Sequence, residues 1–401
     1  MEAYYDVFYK DRFDEFFRGT WIYDHPTGEK GSYLVLSLNF SVVEPGPDKM
    51  ETSFHNHIQD AAVDFMQRYG NYLSANQDLD YFKEKIKNSR SATDILSTLL
   101  LVCKGAQQKL YVIIDEYDNF ANTILSTVGK DAYQDLTHGP GFFRSFFNAL
   151  KKGTSSTGAP VTRSFITGVS PVTMDDVTSG YNIGENVSLD AAFNRMLGFT
   201  REDVDEMLNY YRSVGLIKHE PGYLGEIIDN WYGNYLFSKH STDSERLYNS
   251  DMVLYFLKEY FKIQSIPDDL IDRNVRIDYG KLRHLIIVDT GGRKVSNGNF
   301  DRLREIIKEG EISSELAKGF PLDKLTDREN FISLLFYLGL LTIKDTEAAD
   351  LVLGIPNETI RRLYYDYIKE GYEETDVFSI DIYTYRRLMK EMAMRGQCGN
   401  P

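Results

Sequence analysis

A chain of 401 residues can bury a large core, and 42% hydrophobic with 26% charged residues is a folded globular balance, which excludes a disordered or disulfide-stapled peptide. The formal net charge of −15 disfavours non-specific attraction to nucleic acid or to an anionic membrane surface. Cys103 and Cys398 lie far apart and outside any Cys-x-x-Cys pair, no apolar run spans a bilayer and Met1–Asp6 does not open like a signal peptide, all of which point to a cytoplasmic protein.

Residues 3–18 place Tyr5, Phe8, Phe13, Phe16 and Phe17 at helical spacing, which predicts a helix. After the turn residues Asp24–Gly28, the alternation of Leu34, Leu36, Leu38 and Phe40 predicts a strand over 32–40. Val43–Pro47 breaks it, and Phe54, Ile58, Ala61, Ala62 and Phe65 predict a helix over about 52–72. His55 and His57 lie on that helix two residues apart, so they face different ways and a shared metal is not expected. Ser91–Asp94 reads as a capping box opening a helix with Ile95, Leu96, Leu99 and Val102 inward.

The most informative stretch comes next. Leu110–Ile114 is a continuous apolar run, the pattern of a strand buried in a parallel sheet, and it ends in Asp115–Glu116. Ligands of doubly wound α/β proteins bind beyond the carboxyl ends of the strands, where these acids would emerge. That is the placement of a Walker B motif, although an apolar strand followed by Asp-Glu also arises without nucleotide chemistry. Downstream, Phe142, Phe143, Phe146, Phe147 and Leu150 share a helical stripe that Gly153 is expected to cap, and residues 161–171 read as a short strand ending in Thr167-Gly168. The repeating order implies a parallel sheet with helices on both faces.

Beyond Gly198 helices dominate, beginning with a capping box at Thr200–Asp203. The polar stretch Ser238–Glu245 is the candidate boundary, giving domains 1–240 and 241–401. In the second, helices are expected over Met252–Ile263, Asp301–Ile307 and Glu329–Leu338. A hairpin of Leu340–Ile343 with Leu351–Leu353 follows, and then a helix marked by Ile360, Leu363, Tyr364, Tyr367 and Ile368. Helix, hairpin, helix is compatible with a winged-helix-like module.

A Walker B acid needs a glycine loop with a Lys to hold phosphates. Gly153–Gly158 has the glycine spacing, but Ala159 and Pro160 stand where Lys and Ser/Thr are required; Gly291-Gly292-Arg293-Lys294 lacks the spacing. Neither is a phosphate cradle.

Seven blocks in order nevertheless carry a resemblance: Tyr4-Tyr5-Asp6, His25-Pro26-Thr27, Tyr33–Ser41, Ile113–Asp118, Phe165–Pro171, Leu197–Thr200 and Trp231–Tyr235. Leu335–Ile343 and Ile355–Asn357 extend it. Together they resemble the AAA-ATPase-like family of bacterial P-loop proteins, which often carry a C-terminal PD-(D/E)XK nuclease-like domain. The resemblance implies an α/β, P-loop NTPase-like parallel sheet followed by a mainly helical domain with a small winged-helix-like hairpin. It implies Mg²⁺ and ATP as cofactors and ATP hydrolysis as the parent activity, with Asp115 on the Mg²⁺ side, Glu116 polarising the attacking water and Thr167 sensing the γ-phosphate. Asp118 and Arg195 are read as a turn acid and a surface or helix-end cation. Family members place the phosphate-binding strand and loop just before the segment resembling Tyr4-Tyr5-Asp6, so the sheet is expected to be N-terminally incomplete and the chain to be a fragment or a degenerate paralogue with impaired ATP binding. The nuclease-like domain is expected to be missing too, since no Asp followed by Glu-x-Lys appears near the end. The alternative is a non-enzymatic interaction or regulatory protein on the same scaffold. The partner is expected to be a second copy of the chain or an unidentified protein.

Overall fold

The computed structural model describes residues 1–119, 141–169, 184–272, 298–320, 327–347 and 350–374 apart from 45, 75–77 and 156, and also 275, 287–290, 293–296 and 324–325. Gly139–Pro140, Ser170–Pro171, Gly291–Gly292 and the C-terminal residues from 375, Cys398 included, lie outside the described residues. The chain divides into two compact units, Met1–Glu185 with Lys318–Lys324, and Asn186–Ala317 with Leu325–Pro401. The division falls near residue 185, and the polar stretch 238–245 expected to mark it lies inside the second unit. The Asn194 side chain accepts from the backbone N–H groups of Phe237 and Ser238 and donates to the Glu245 carbonyl, so the stretch is an anchored turn.

The first unit is built on a three-stranded parallel sheet in the order β1 (Leu34–Asn39), β2 (Leu110–Asp115), β3 (Val161–Ile166). Leu34, Leu36 and Leu38 of β1 and Leu110, Val112 and Ile114 of β2 lie on one face and are buried. Helices α1 (Pro47–Arg68), α2 (Leu79–Lys87), α3 (Ala92–Gly105) and α4 (Phe142–Ser155) form the layer beside it, with α1 on β1 and α4 on β3. Phe40, Phe54, Phe143 and Phe146 meet edge to face in its core, with centroids 5.1–6.2 Å apart. Such pairs each add about 0.5–1.5 kcal/mol beyond the area they bury. The Ser91 side chain caps α3 by accepting from the Asp94 N–H, as its sequence predicts. Gly153 does not cap α4. The helix runs on to Ser155, and a Cβ at 153 would lie 2.8 Å from Leu100, so glycine is there to let α4 approach α3.

Among the described residues the opposite face of the sheet is thinly covered. Val35, Tyr33 and Tyr111 pack there with Tyr5, Ile113 and Phe165, the last three only partly buried, while Ser37 and Arg163 are exposed. Residues 3–18 do not form one helix. Asp6 pairs with Tyr33 as an isolated parallel bridge and interrupts them, leaving short turns at Glu2–Tyr5, Val7–Arg12 and Phe13–Phe17. The Asp6 carboxylate is fully buried, accepting from the Phe8 N–H at 2.8 Å and the Tyr69 hydroxyl at 2.7 Å, with Arg68 at 3.7 Å.

In the second unit α5 (Arg201–Ser213), α6 (Pro221–Tyr232) and α7 (Ser250–Ile263) enclose Val204, Leu208, Leu224, Ile228, Phe256 and Tyr260. The Thr200–Asp203 capping box is fully formed. A short antiparallel pair, β4 (Ile287–Thr290) and β5 (Arg293–Ser296), precedes α8 (Gly298–Glu309). The expected hairpin is present as β7 (Thr342–Glu347) and β8 (Asp350–Gly354). A strand missed in the sequence, β6 (Glu311–Ser314), pairs with β8 to give the antiparallel order β6-β8-β7. With α9 (Arg328–Tyr337) and α10 (Glu358–Glu374) this sheet surrounds a second core containing Leu303, Ile306, Phe331, Leu335, Leu353 and Leu363.

Candidate active site at the end of the parallel sheet

Parallel pairing brings the carboxyl ends of β2 and β3 together, because Ile114 stands opposite Ile166 in register. The ladder continues past the strands: the Thr167 N–H donates to the Ile114 carbonyl at 2.8 Å and the Tyr117 N–H to the Thr167 carbonyl at 3.0 Å. Asp115 and Thr167 therefore emerge side by side. The Thr167 hydroxyl donates to Asp115 Oδ1 at 2.5 Å, so two residues separated by 52 positions share one edge. Glu116 follows directly, exposed, with φ +50°. A left-handed backbone costs a residue bearing a Cβ about 1–2 kcal/mol, and non-glycine residues in that region cluster at functional sites.

Asp118, read from the sequence as a turn acid, is 0% exposed. Its carboxylate accepts from the Val169 N–H at 3.1 and 3.2 Å. The Asn119 N–H closes the turn onto the Glu116 carbonyl at 3.1 Å. The available signal was the spacing, since an acid three residues after Asp115 and a glycine straight after Thr167 both follow strand ends. Arg195 is exposed and belongs to the second unit.

The carboxylates of Asp115 and Glu116 and the hydroxyl of Thr167 are all oxygen donors at an open edge. That set suits Mg²⁺, which takes one or two carboxylates and completes its shell with waters and substrate phosphates. No group of three His, Cys, Asp or Glu gathers into an all-protein metal cage among the described residues. A Mg²⁺ ion here would depend on a nucleotide for part of its shell.

The N-terminal 178 residues, which hold all three strands and this edge, match the model of the family described as Predicted AAA-ATPase. Over residues 1–178 the chain is similar to the AAA-ATPase-like family. Comparison with curated proteins and with solved structures gave no match. The AAA-ATPase-like segment ends before the second unit, where a cleft of about 290 Å³ is lined by Leu197, Tyr235, Phe237, Leu247, Tyr337 and Leu338 among others, none of them charged. No described helix is long and apolar enough to cross a membrane.

Proposed function

We propose that the edge formed by Asp115, Glu116 and Thr167 is the metal-and-water end of an ATP-hydrolysing site on a P-loop NTPase-like sheet. The observation that carries this reading is the bond from Thr167 to Asp115, on adjacent parallel strands, beside a Glu116 held in the left-handed region. Asp115 would hold Mg²⁺, which neutralises charge developing on the phosphoryl oxygens. Glu116 would orient the attacking water, and Thr167 would reach the γ-phosphate once its hydroxyl turns away from Asp115.

Since the 401 residues contain no Gly-x-x-x-x-Gly-Lys-Ser/Thr run, the chain by itself is expected to bind Mg·ATP weakly. Titration calorimetry checks this, and tight Mg²⁺-dependent binding by the chain alone would contradict it. With a strand and glycine loop fused ahead of Met1, hydrolysis is expected. Glu116→Gln should then cut kcat by about 10²–10⁴-fold while sparing ATP affinity. Turnover unchanged by that substitution removes Glu116 from the mechanism, and no turnover in the fused protein sinks the reading.

The order β6-β8-β7 with α8 before it and α9 within it supports a winged-helix-like reading of the second unit. Phe331–Phe336 of α9 are all buried, so the middle of that helix is committed to the core. A second functional reading, a non-enzymatic interaction protein, draws on the thinly covered sheet face at Ile113 and Phe165.

A further inference from the structure

We propose that Asp118 is a positioning residue: its buried carboxylate clamps the turn carrying Glu116 onto the strand end carrying Thr167. The inference rests on the ATP-hydrolysis reading for its purpose, but its geometry stands apart from it. Glu116 lies between two anchors. On one side Ile114 accepts from the Thr167 N–H, and on the other the Tyr117 N–H and the Asp118 carboxylate hold Thr167 and Val169. A glutamate at φ +50° persists only where its surroundings over-determine it, and this crosswise set of bonds does so.

Gly168 supplies an independent observation. A Cβ built there would lie 2.2 Å from the Tyr117 ring and 2.6 Å from Asp118 Oδ1, so the turn is seated directly against the backbone of the strand end. Real Cβ atoms do not approach so closely, and any side chain at 168 must displace the Tyr117 ring and the Asp118 carboxylate from their present seats. Two residues that contribute no group to ATP therefore fix where the groups meant for ATP stand. A surface turn acid would do neither.

The test uses the full chain with Asp118→Ala, Asp118→Asn and Gly168→Ala. Crystal structures report the φ of Glu116 and the Thr167–Asp115 contact, and hydrogen exchange reports the Val169 amide. Asp118→Ala is expected to return Glu116 to negative φ, open the contact and speed exchange at Val169 at least 10-fold, with Phe146 in α4 unchanged. Gly168→Ala should reproduce the displacement with the carboxylate intact. Asp118→Asn keeps an acceptor oxygen, so it should retain most of the protection at Val169, and it decides the matter if the alanine variant does not fold. Glu116 still left-handed and Thr167 still on Asp115 in Asp118→Ala and Gly168→Ala would overturn the proposal. The ATP reading is tested separately by adding Mn²⁺ with ATP to the unsubstituted chain carrying the fused glycine loop. Absence of paramagnetic broadening at Thr167 would sink that reading, while the φ angle and the exchange rates would still decide the role of Asp118.

Discussion

The left-handed backbone of Glu116 makes a stability prediction that is independent of any assay for hydrolysis. Substituting Glu116 by Ala or by Gly removes the carboxylate in both cases, so the effect of its loss cancels between the two variants. What differs is the Cβ. At φ +50° a Cβ costs about 1–2 kcal/mol, a strain that glycine does not carry. Glycine in turn loses more freedom on folding, which offsets about 0.4–1 kcal/mol of the gain. Glu116→Gly should therefore exceed Glu116→Ala in stability by up to about 1.6 kcal/mol, centred near 0.8 kcal/mol. For a unit the size of Met1–Glu185 the central value corresponds to a melting temperature higher by roughly 1–4 °C. Urea unfolding followed by fluorescence reads the same difference as a shift in midpoint at unchanged slope. Both variants are expected to lack hydrolysis in the fused protein, so stability and activity would part at one position. Alanine at least as stable as glycine would refute the reasoning, because it would mean that the backbone at 116 carries no strain to release.

Tyr69→Phe removes a hydroxyl that donates to Asp6 and accepts from the Val35 N–H at 3.2 Å, and it should cost about 1–3 kcal/mol with faster exchange at the Val35 amide. Burial pushes the Asp6 carboxyl above its ordinary range despite its bonds to Phe8 and Tyr69. The folded state thus holds that proton more tightly than the unfolded chain. Its contribution is fully present below the unfolded value of about 3.9 and is lost as pH rises through the raised folded value. Denaturant melts of the parent and Asp6→Asn should accordingly show the parent losing ground to the variant as pH rises from about 4 towards neutrality; parallel curves would show that Asp6 titrates alike in both states. Among the described residues β3 pairs with β2 alone, and the face bearing Ile113 and Phe165 is half covered, so concentration-dependent self-association is expected by light scattering. Phe165→Lys should weaken it, and a monomer at every concentration would show that this face needs no partner.

The strands and the acidic edge were legible because both are written locally. Leu34, Leu36 and Leu38 alternate, Leu110–Ile114 is uninterrupted, and parallel pairing leaves Asp115 and Thr167 nowhere to go but the same end. Burial that depends on a partner far along the chain was not legible. Gly153 follows two lysines near a helix end and looks like a cap, yet Leu100 in another helix requires it to be small. Asp6 sits within a helical pattern and becomes a bridge only because Tyr33 lies beside it and Tyr69 and Arg68 receive its carboxylate. The strand β6 is four residues long with only Ile312 and Ser314 buried, too brief a pattern to show until β8 pairs with it.

Asp118 belongs with these cases, and it shows why a site is harder to read than a fold. A carboxylate three residues beyond a strand has the composition of a solvated turn, and composition says nothing about where its lone pairs go. The neighbouring strand end does, through a Val169 amide that donates to it and a Gly168 that leaves room for it. The groups expected to touch a substrate, Asp115, Glu116 and Thr167, are exposed or half exposed and so keep the polar character that marks them in sequence. The group proposed to orient them is buried, where a carboxylate is tolerated only with hydrogen-bond partners that the sequence does not show. Reading outward from the acids finds the proposed chemistry; reading inward from the buried carboxylate finds what is proposed to hold it in place.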